Sequence, residues 1–312
     1  MARIGVVGAG RVGAVLSAAL RAAGHEVVAA AGDSAASLER IDTLLPGVRV
    51  DKPTEVARSC DLLLLTVPDD MLENVANTLV GAGAIHEGQV VCHTSGRHGL
   101  AVLDAVTRVG ARPVAMHPAM TFTGTALDLD RLRGCVFGMT AGEAEREYAE
   151  GLVADLGGIA LWVPESKRTL YHAGLAHGAN HLVTLVSQAM ELLAASGAED
   201  PAATLRPLLS AALDNALANG DAALTGPIVR GDVRTVEAHL HDITENAPAT
   251  VPSYVAMAKA TADRAVLDGR LLPIRASRIV GLLDAALLRV GETGPVTGPS
   301  AYLHRSSGTE PR

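Results

Sequence analysis

Through its first half the chain alternates short apolar runs with longer stretches whose apolar residues recur at helical spacing. The runs at 3–7, 26–30, 61–67, 89–92, 112–116, 136–139 and 159–163 are too short for helices and read as buried strands. Between them, 12–23, 35–45, 71–79, 100–109 and 143–156 read as helices, with Gly24-His25 and Pro46-Gly47 as stops. Strands separated by helices predict an α/β domain built on a doubly wound, mostly parallel sheet. After Pro164 the strand signal disappears. Helical patterns follow at 167–195, 201–218, 233–244, 252–267 and 273–290, so the second half is expected to be all-α. The expected division is a sheet domain over 1–165, a helical domain over 166–291, and a disordered Gly-, Pro- and Ser-rich tail over 292–312.

The first strand runs without a gap into Gly8-Ala9-Gly10-Arg11-Val12-Gly13, and a helix follows at once. G-x-G-x-x-G between strand and helix is the fingerprint of a dinucleotide-binding turn. Gly8 makes the tight turn, Gly10 leaves room for a pyrophosphate against the backbone, and Gly13 lets helix and strand pack closely. The pyrophosphate then rests on the free N–H groups at the helix start, at Arg11 and Val12. In such sheets the ligand lies beyond the C-terminal strand ends. The polar clusters at 66–70, 93–96 and 117–121 occupy those ends, which makes Val67, Pro68, His93 and Ser95 candidate cofactor contacts, with His117 beside them.

An NAD-binding unit ends its second strand in an acid that takes the ribose 2′-hydroxyl. Here that position holds Ala30 or Ala31, with Asp33 displaced beyond it and Ser34, Ser37 and Arg40 following. Hydroxyls and a nearby arginine suit a 2′-phosphate. NADP is therefore expected over NAD.

Composition narrows the class. At 312 residues with 48% hydrophobic content the chain has material for two cores. A net charge of −8 offers no basic field for nucleic acid, and 2% aromatic residues offer no stacking platform. Cys60, Cys92 and Cys135 are few, odd in number and far apart, as in a reduced cytoplasmic protein. No window holds eighteen uninterrupted apolar residues, so no membrane span is expected.

The long pattern at 167–195 is apolar but carries a polar file. His172, Ala176, Asn180, Thr184 and Ser187 recur at spacings of four and three, on one helical face. A buried Asn needs hydrogen-bond partners, so Asn180 belongs either to a polar network or to a cleft. His177 and His181 are four apart, but no carboxylate or Cys nearby completes a metal-ligand set, so no metal is expected. Leu170, Leu175, Leu182, Val183, Leu185, Val186, Leu192 and Leu193 lie on more than one side of the helix, which predicts a homodimer through the helical domain. In Thr225-Gly226-Pro227-Ile228-Val229-Arg230-Gly231-Asp232, Asp232 reads as the N-cap of the next helix. Arg230 reads either as a bidentate grip for a substrate carboxylate or as a surface ion pair.

Six segments together carry a family resemblance: GAGRVG (8–13), TVPDD (66–70), HTSG (93–96), HPAMTF (117–122), YHAGLAHGANHLVTL (171–185) and TGPIVRGD (225–232). The chain resembles a Rossmann-like family with a C-terminal domain of unknown function, a neighbour of ketopantoate and pyrroline-5-carboxylate reductases. The resemblance implies NAD(P) binding, a helical C-terminal domain and dimerisation, and it extends to alternative ketopantoate reductases of pantothenate synthesis. Better-known ketopantoate and hydroxyacid reductases carry a lysine four residues before an asparagine on the long helix. Here that position is Ala176, so His172 or His177 must supply the proton.

The expected activity is NAD(P)-dependent reduction of a small 2-oxo acid, with 2-dehydropantoate (ketopantoate) as the leading candidate. Reduction of a carbonyl builds alkoxide charge, which needs a proton donor and aimed hydrogen bonds. His172 is the expected donor, Asn180 orients the substrate and Arg230 holds its carboxylate. Two alternatives stand beside this reading: a cyclic-imine reductase of the pyrroline-5-carboxylate type, and a dinucleotide-binding regulator without turnover.

Overall fold

The computed structural model describes residues 1–292. The expected tail over 292–312 lies, beyond its first residue, outside the described residues. The chain divides into two compact units after Asn180.

The first unit is built on an eight-stranded sheet. Its strands are β1 (Arg3–Val7), β2 (Glu26–Ala31), β3 (Arg49–Val50), β4 (Leu62–Leu65), β5 (Val90–His93), β6 (Arg112–Pro118), β7 (Val136–Ala141) and β8 (Ile159–Trp162). Their order across the sheet is β3-β2-β1-β4-β5-β6-β7-β8. The chain starts at β1, moves outward to β3 and then returns past β1 to β4, so the order switches between β1 and β4. That crevice is where a doubly wound sheet binds its ligand. The first six strands are parallel, but β7 pairs antiparallel to β6, with Pro118 opposite Phe137, and β8 runs parallel to β7. β7 and β8 are thus reversed in an otherwise parallel sheet.

Near-continuous apolar strands such as Leu62–Leu65 are buried on both faces, as a parallel sheet between two helical layers requires. On one face Ile4, Val6, Leu62, Leu64, Val114 and Met116 pack under α1 (Arg11–Ala22) and α7 (Arg146–Asp155). On the other, Val7, Ala29, Leu63, Leu65 and Val91 pack under α3 (Pro53–Arg58), α4 (Leu72–Gly81) and α5 (Asp104–Arg108). The remaining helices of the sheet region are α2 (Ala35–Leu44) and α6 (Leu127–Arg131). β3, α3 and α6 are absent from the sequence expectation, because two- to six-residue elements leave no periodicity to read.

Helix α8 (Arg168–Leu175) also belongs to this first unit. The reason is Arg168, whose guanidinium bonds into β7 at Gly138 and Thr140. The single long helix expected over 167–195 is interrupted: Ala176–Asn180 forms a π-helical turn between α8 and α9 (His181–Ala195).

The second unit contains α9, α10 (Pro201–Asn219), the one-turn α11 (Pro227–Arg230), α12 (Val233–Asn246), α13 (Val251–Leu267) and α14 (Pro273–Glu292). Its core is formed by Val236, Leu240, Val255, Ala262, Ile279 and Leu283, all from α12, α13 and α14. Asp232 caps α12 as expected, accepting from the Thr235 N–H at 3.3 Å and from its hydroxyl at 2.7 Å. Among the described residues no helix is long and apolar enough to cross a membrane.

Candidate active site

The glycine turn has the geometry its sequence demands. Gly8 adopts φ +91°, which side chains disfavour, and a Cβ there would lie 2.8 Å from the Thr66 backbone. At Gly13 a Cβ would stand 2.2 Å from Thr66 Oγ1, so α1 can approach β4 only because this residue is glycine. Thr66 Oγ1 in turn donates to the Gly8 carbonyl at 2.7 Å and fixes the turn. Gly10 differs from both: a Cβ there would meet only the Gly8 oxygen, at 3.8 Å, and otherwise open space. That space is the cradle a pyrophosphate needs. Ala14 is the first residue of α1 whose N–H bonds back, to Gly10 O. The preceding N–H groups therefore face the groove without intrahelical partners, and no acidic residue lies in the first turn to oppose an anion.

A cavity of about 1000 Å³ runs along the strand ends of the first unit. Gly8, Gly10, Arg11, Val12, Val67, Pro68 and Ser95, all expected cofactor contacts, line it. Gly13 lies beneath the groove and acts through packing. Three further expected contacts do not line it. Ser34 caps α2, accepting from the Ser37 N–H at 3.1 Å. Arg40 donates to Ala36 O of its own helix at 3.0 Å, with its Nε beside Gly124. His93 is fully buried, with Nε2 2.8 Å from the Gly99 carbonyl and Nδ1 accepting from the Ser95 N–H. Burial lowers the pKa of His93 to about 4, so it is a neutral strut for the turn that carries Ser95. At the β2 end the groove is lined instead by Asp33, Ser37 and Lys52. Lys52 went unread because it follows the two-residue strand β3, which has no sequence signature.

At the other end of the groove, beyond Thr94 and Ser95, stands a cluster of rings. His172 on α8 packs so closely on Gly96 that a Cβ there would be 2.4 Å from its Cδ2. The His172 and His117 rings meet edge-to-face at 5.7 Å. His117 Nδ1 is 3.0 Å from the Tyr171 hydroxyl, whose ring passes over β7 because Gly138 carries no side chain. Burial, reinforced by His172 and Arg168, lowers the His117 pKa to about 4, so His117 is neutral at physiological pH. Burial also raises the Tyr171 pKa, which keeps its hydroxyl protonated. A neutral histidine joined to a protonated tyrosine can carry a proton without holding a charge. Tyr171 is not among the expected site residues, although it adjoins His172 in the sequence.

Asn180 is exposed at the end of the π turn. A π turn inserts one residue into the helical register, so the file from His172 through Asn180 to Ser187 does not share one face. Arg230 is exposed in the last turn of α11, in the second unit. Among the described residues no group of three His, Cys, Asp or Glu side chains could hold a metal ion.

The sequence matches a Rossmann-like domain over residues 1–118 and the domain of unknown function DUF2520 over residues 135–261. The chain thus carries a Rossmann-like match followed by a DUF2520 match. Its fold recurs in solved structures. A Bacteroides fragilis protein described as a candidate NADP oxidoreductase is 18% identical, with 84% of this chain and 98% of that one covered and a TM-score of 0.73. An imine reductase from Myxococcus stipitatus, in complex with NADP+, is 15% identical over 86% of this chain and 95% of its own, with a TM-score of 0.62. Pyrroline carboxylate reductase from Plasmodium falciparum, with NADP bound, is 12% identical over 90% and 98%, with a TM-score of 0.54. At such identities the likeness is one of fold. No curated protein matches the chain significantly.

Proposed function

We propose that this Rossmann–DUF2520 chain is an NAD(P)H-dependent reductase of a small substrate carrying a carboxylate. The observation behind this reading is the position of the Tyr171–His117–His172 cluster. It stands at one end of the dinucleotide groove, while the adenosine ribose is read at the other, beside β2, which puts the nicotinamide on the cluster's side. The nicotinamide, when bound, supplies the hydride. The chain's own residues then have separate duties. The glycine turn and the start of α1 hold the pyrophosphate, Ser95 and Gly96 border the reacting end, and His172 delivers a proton to the nascent oxygen or nitrogen, with the Tyr171–His117 pair behind it.

Within this class we favour a 2-oxo acid, with 2-dehydropantoate leading, because an alkoxide product needs such a donor. A cyclic imine is the second reading, favoured by the likeness in fold to imine and pyrroline carboxylate reductases. Dinucleotide oxidation in the presence of a panel of 2-oxo acids and cyclic imines tests both. Tight dinucleotide binding without turnover on any of them would make the chain a regulator instead.

NADPH is the favoured cofactor, with Lys52 and Arg11 as the cations at the groove wall. Lys52→Ala is expected to weaken NADPH binding about tenfold while leaving NADH within about twofold, as the loss of one charge-assisted contact implies. Calorimetry with both cofactors measures this, and equal losses would return the choice to Asp33 and NAD.

A second copy of the chain is the favoured partner. α9 has no buried residue, and Leu182, Val183 and Leu185 are exposed on it, as are Leu208, Leu213 and Leu217 on α10. Val183 at 68% and Leu217 at 80% exposure leave open the kind of apolar surface that an interface covers. Light scattering should return twice 32.0 kDa at micromolar protein, and Val183→Asp with Leu217→Asp should shift it towards the monomer. A parental monomer would refute the pairing.

A further inference from the structure

Among the described residues Arg168 is the largest fully buried side chain, and it is a cation. Its Nη1 donates to Gly138 O at 3.3 Å and Thr140 Oγ1 at 3.1 Å, and its Nη2 donates to Ser95 O at 2.6 Å. All three acceptors are uncharged. Its Nε is buried with no partner. Burial lowers its pKa, with Tyr171, Glu165 and Asp69 opposing that from nearby. A guanidinium nonetheless keeps its charge. A buried charge with no direct ion pair is disfavoured unless something else requires it.

Its surroundings point to that requirement. Ser95 lines the dinucleotide groove, and the next residue, Gly96, is the one against which His172 packs. Glu165 accepts from the N–H groups of Leu100 and Ala101 just beyond the same turn. Glu165, Arg168 and His172, spaced three and four apart, therefore grip the 95–101 segment from one side. Arg168 is the only one of the three that is fully buried.

We propose that Arg168 is a positioning residue of the reaction centre: its buried charge, bonded only to uncharged acceptors, fixes the Ser95–Gly96 turn from behind and makes that end of the groove favour developing negative charge. It acts through Ser95 and through His117, without touching the substrate. His117 is also faced by Asp69, Tyr171 and His172, and of these Asp69 works against the influence of Arg168. The proposal rests on the reductase reading above, and its test separates the two.

Arg168→Met keeps the bulk and removes the charge, whereas Arg168→Lys keeps the charge and loses part of the bonding. The Met variant is expected to lose turnover about a hundredfold, as misplacement behind a site can, while its dinucleotide Kd by calorimetry stays within threefold. Its His117 ring, followed by NMR, should titrate at higher pH, because a neighbouring cation has been removed. The Lys variant should keep the parental His117 titration and turnover within about tenfold. Parental turnover together with an unmoved His117 in the Met variant would overturn the proposal. So would a folded Lys variant that loses as much turnover as the Met variant. If the Met variant does not fold, the Lys variant decides alone on both readouts, and failure of both to fold would assign Arg168 to the fold only. If the parental chain turns over no 2-oxo acid or imine, the reductase reading fails, while the His117 titration still decides whether the charge of Arg168 reaches the centre.

Discussion

Gly10→Asp is expected to abolish nicotinamide dinucleotide binding in an otherwise folded protein. At Gly10 the space beyond the Cα is open to the groove, so an added side chain enters the ligand's volume without straining the protein. A carboxylate there faces the pyrophosphate at about 4 Å, where like charges repel by about 4 kcal/mol at an effective dielectric near 20. That corresponds to roughly a thousandfold in Kd. Calorimetry with NADPH and NADH measures the loss, and thermal unfolding should show a Tm within a few degrees of the parent. Unchanged affinity would remove the dinucleotide from this groove. Gly13→Ala would be a poor substitute test, because its Cβ meets Thr66 Oγ1 at 2.2 Å and binding would fall together with the packing of α1.

His172→Ala should lower turnover by about a hundredfold or more, the usual contribution of a placed proton donor, while cofactor affinity is preserved. The ring lies against Gly96 and beside His117, outside the groove that holds the dinucleotide. Gly96→Ala provides an independent approach to the same ring. Its methyl would occupy the position of the imidazole edge, so it should reproduce part of the turnover loss with His172 still present. Parental rates in His172→Ala would move the proton to the Tyr171–His117 pair, and Tyr171→Phe would then be the damaging change.

Much of this architecture can be read from the chain because it is written in local periodicity. Apolar runs bounded by turn residues gave the expected β1, β2 and β4 to β8 to within about two residues, and the glycine turn has the tight φ at Gly8, the open space at Gly10 and the close packing at Gly13 that its spacing implies. What escaped is information held in tertiary relations. The π turn at Ala176–Asn180 leaves no mark in composition, yet it shifts the register by one residue and dissolves the polar face drawn through Asn180. Arg168 follows Lys167 at the start of a helix and reads as a solvated charge. Only the closeness of β7 and the 95–101 segment makes it a buried one. Lys52 lies in a connection too short for pattern analysis. The antiparallel entry of β7 was equally hidden, because strand direction depends on where a loop travels and not on its residues.

That reversal bears on how such a protein can be inherited and rebuilt. It occurs between residues 118 and 136, in the interval separating the two domain matches. By turning the last two strands around, it lets the chain leave β8 at the end of the sheet remote from the groove, so that α8 climbs back along β7 and brings Tyr171 level with His117. His117 therefore belongs to the Rossmann-like segment, whereas Arg168, Tyr171 and His172 belong to DUF2520. A recombinant that took either segment from a distant relative would receive half of a hydrogen-bonded cluster. The junction that looks like the natural place to cut and exchange modules is the one across which the His117–Tyr171 hydrogen bond has to be kept.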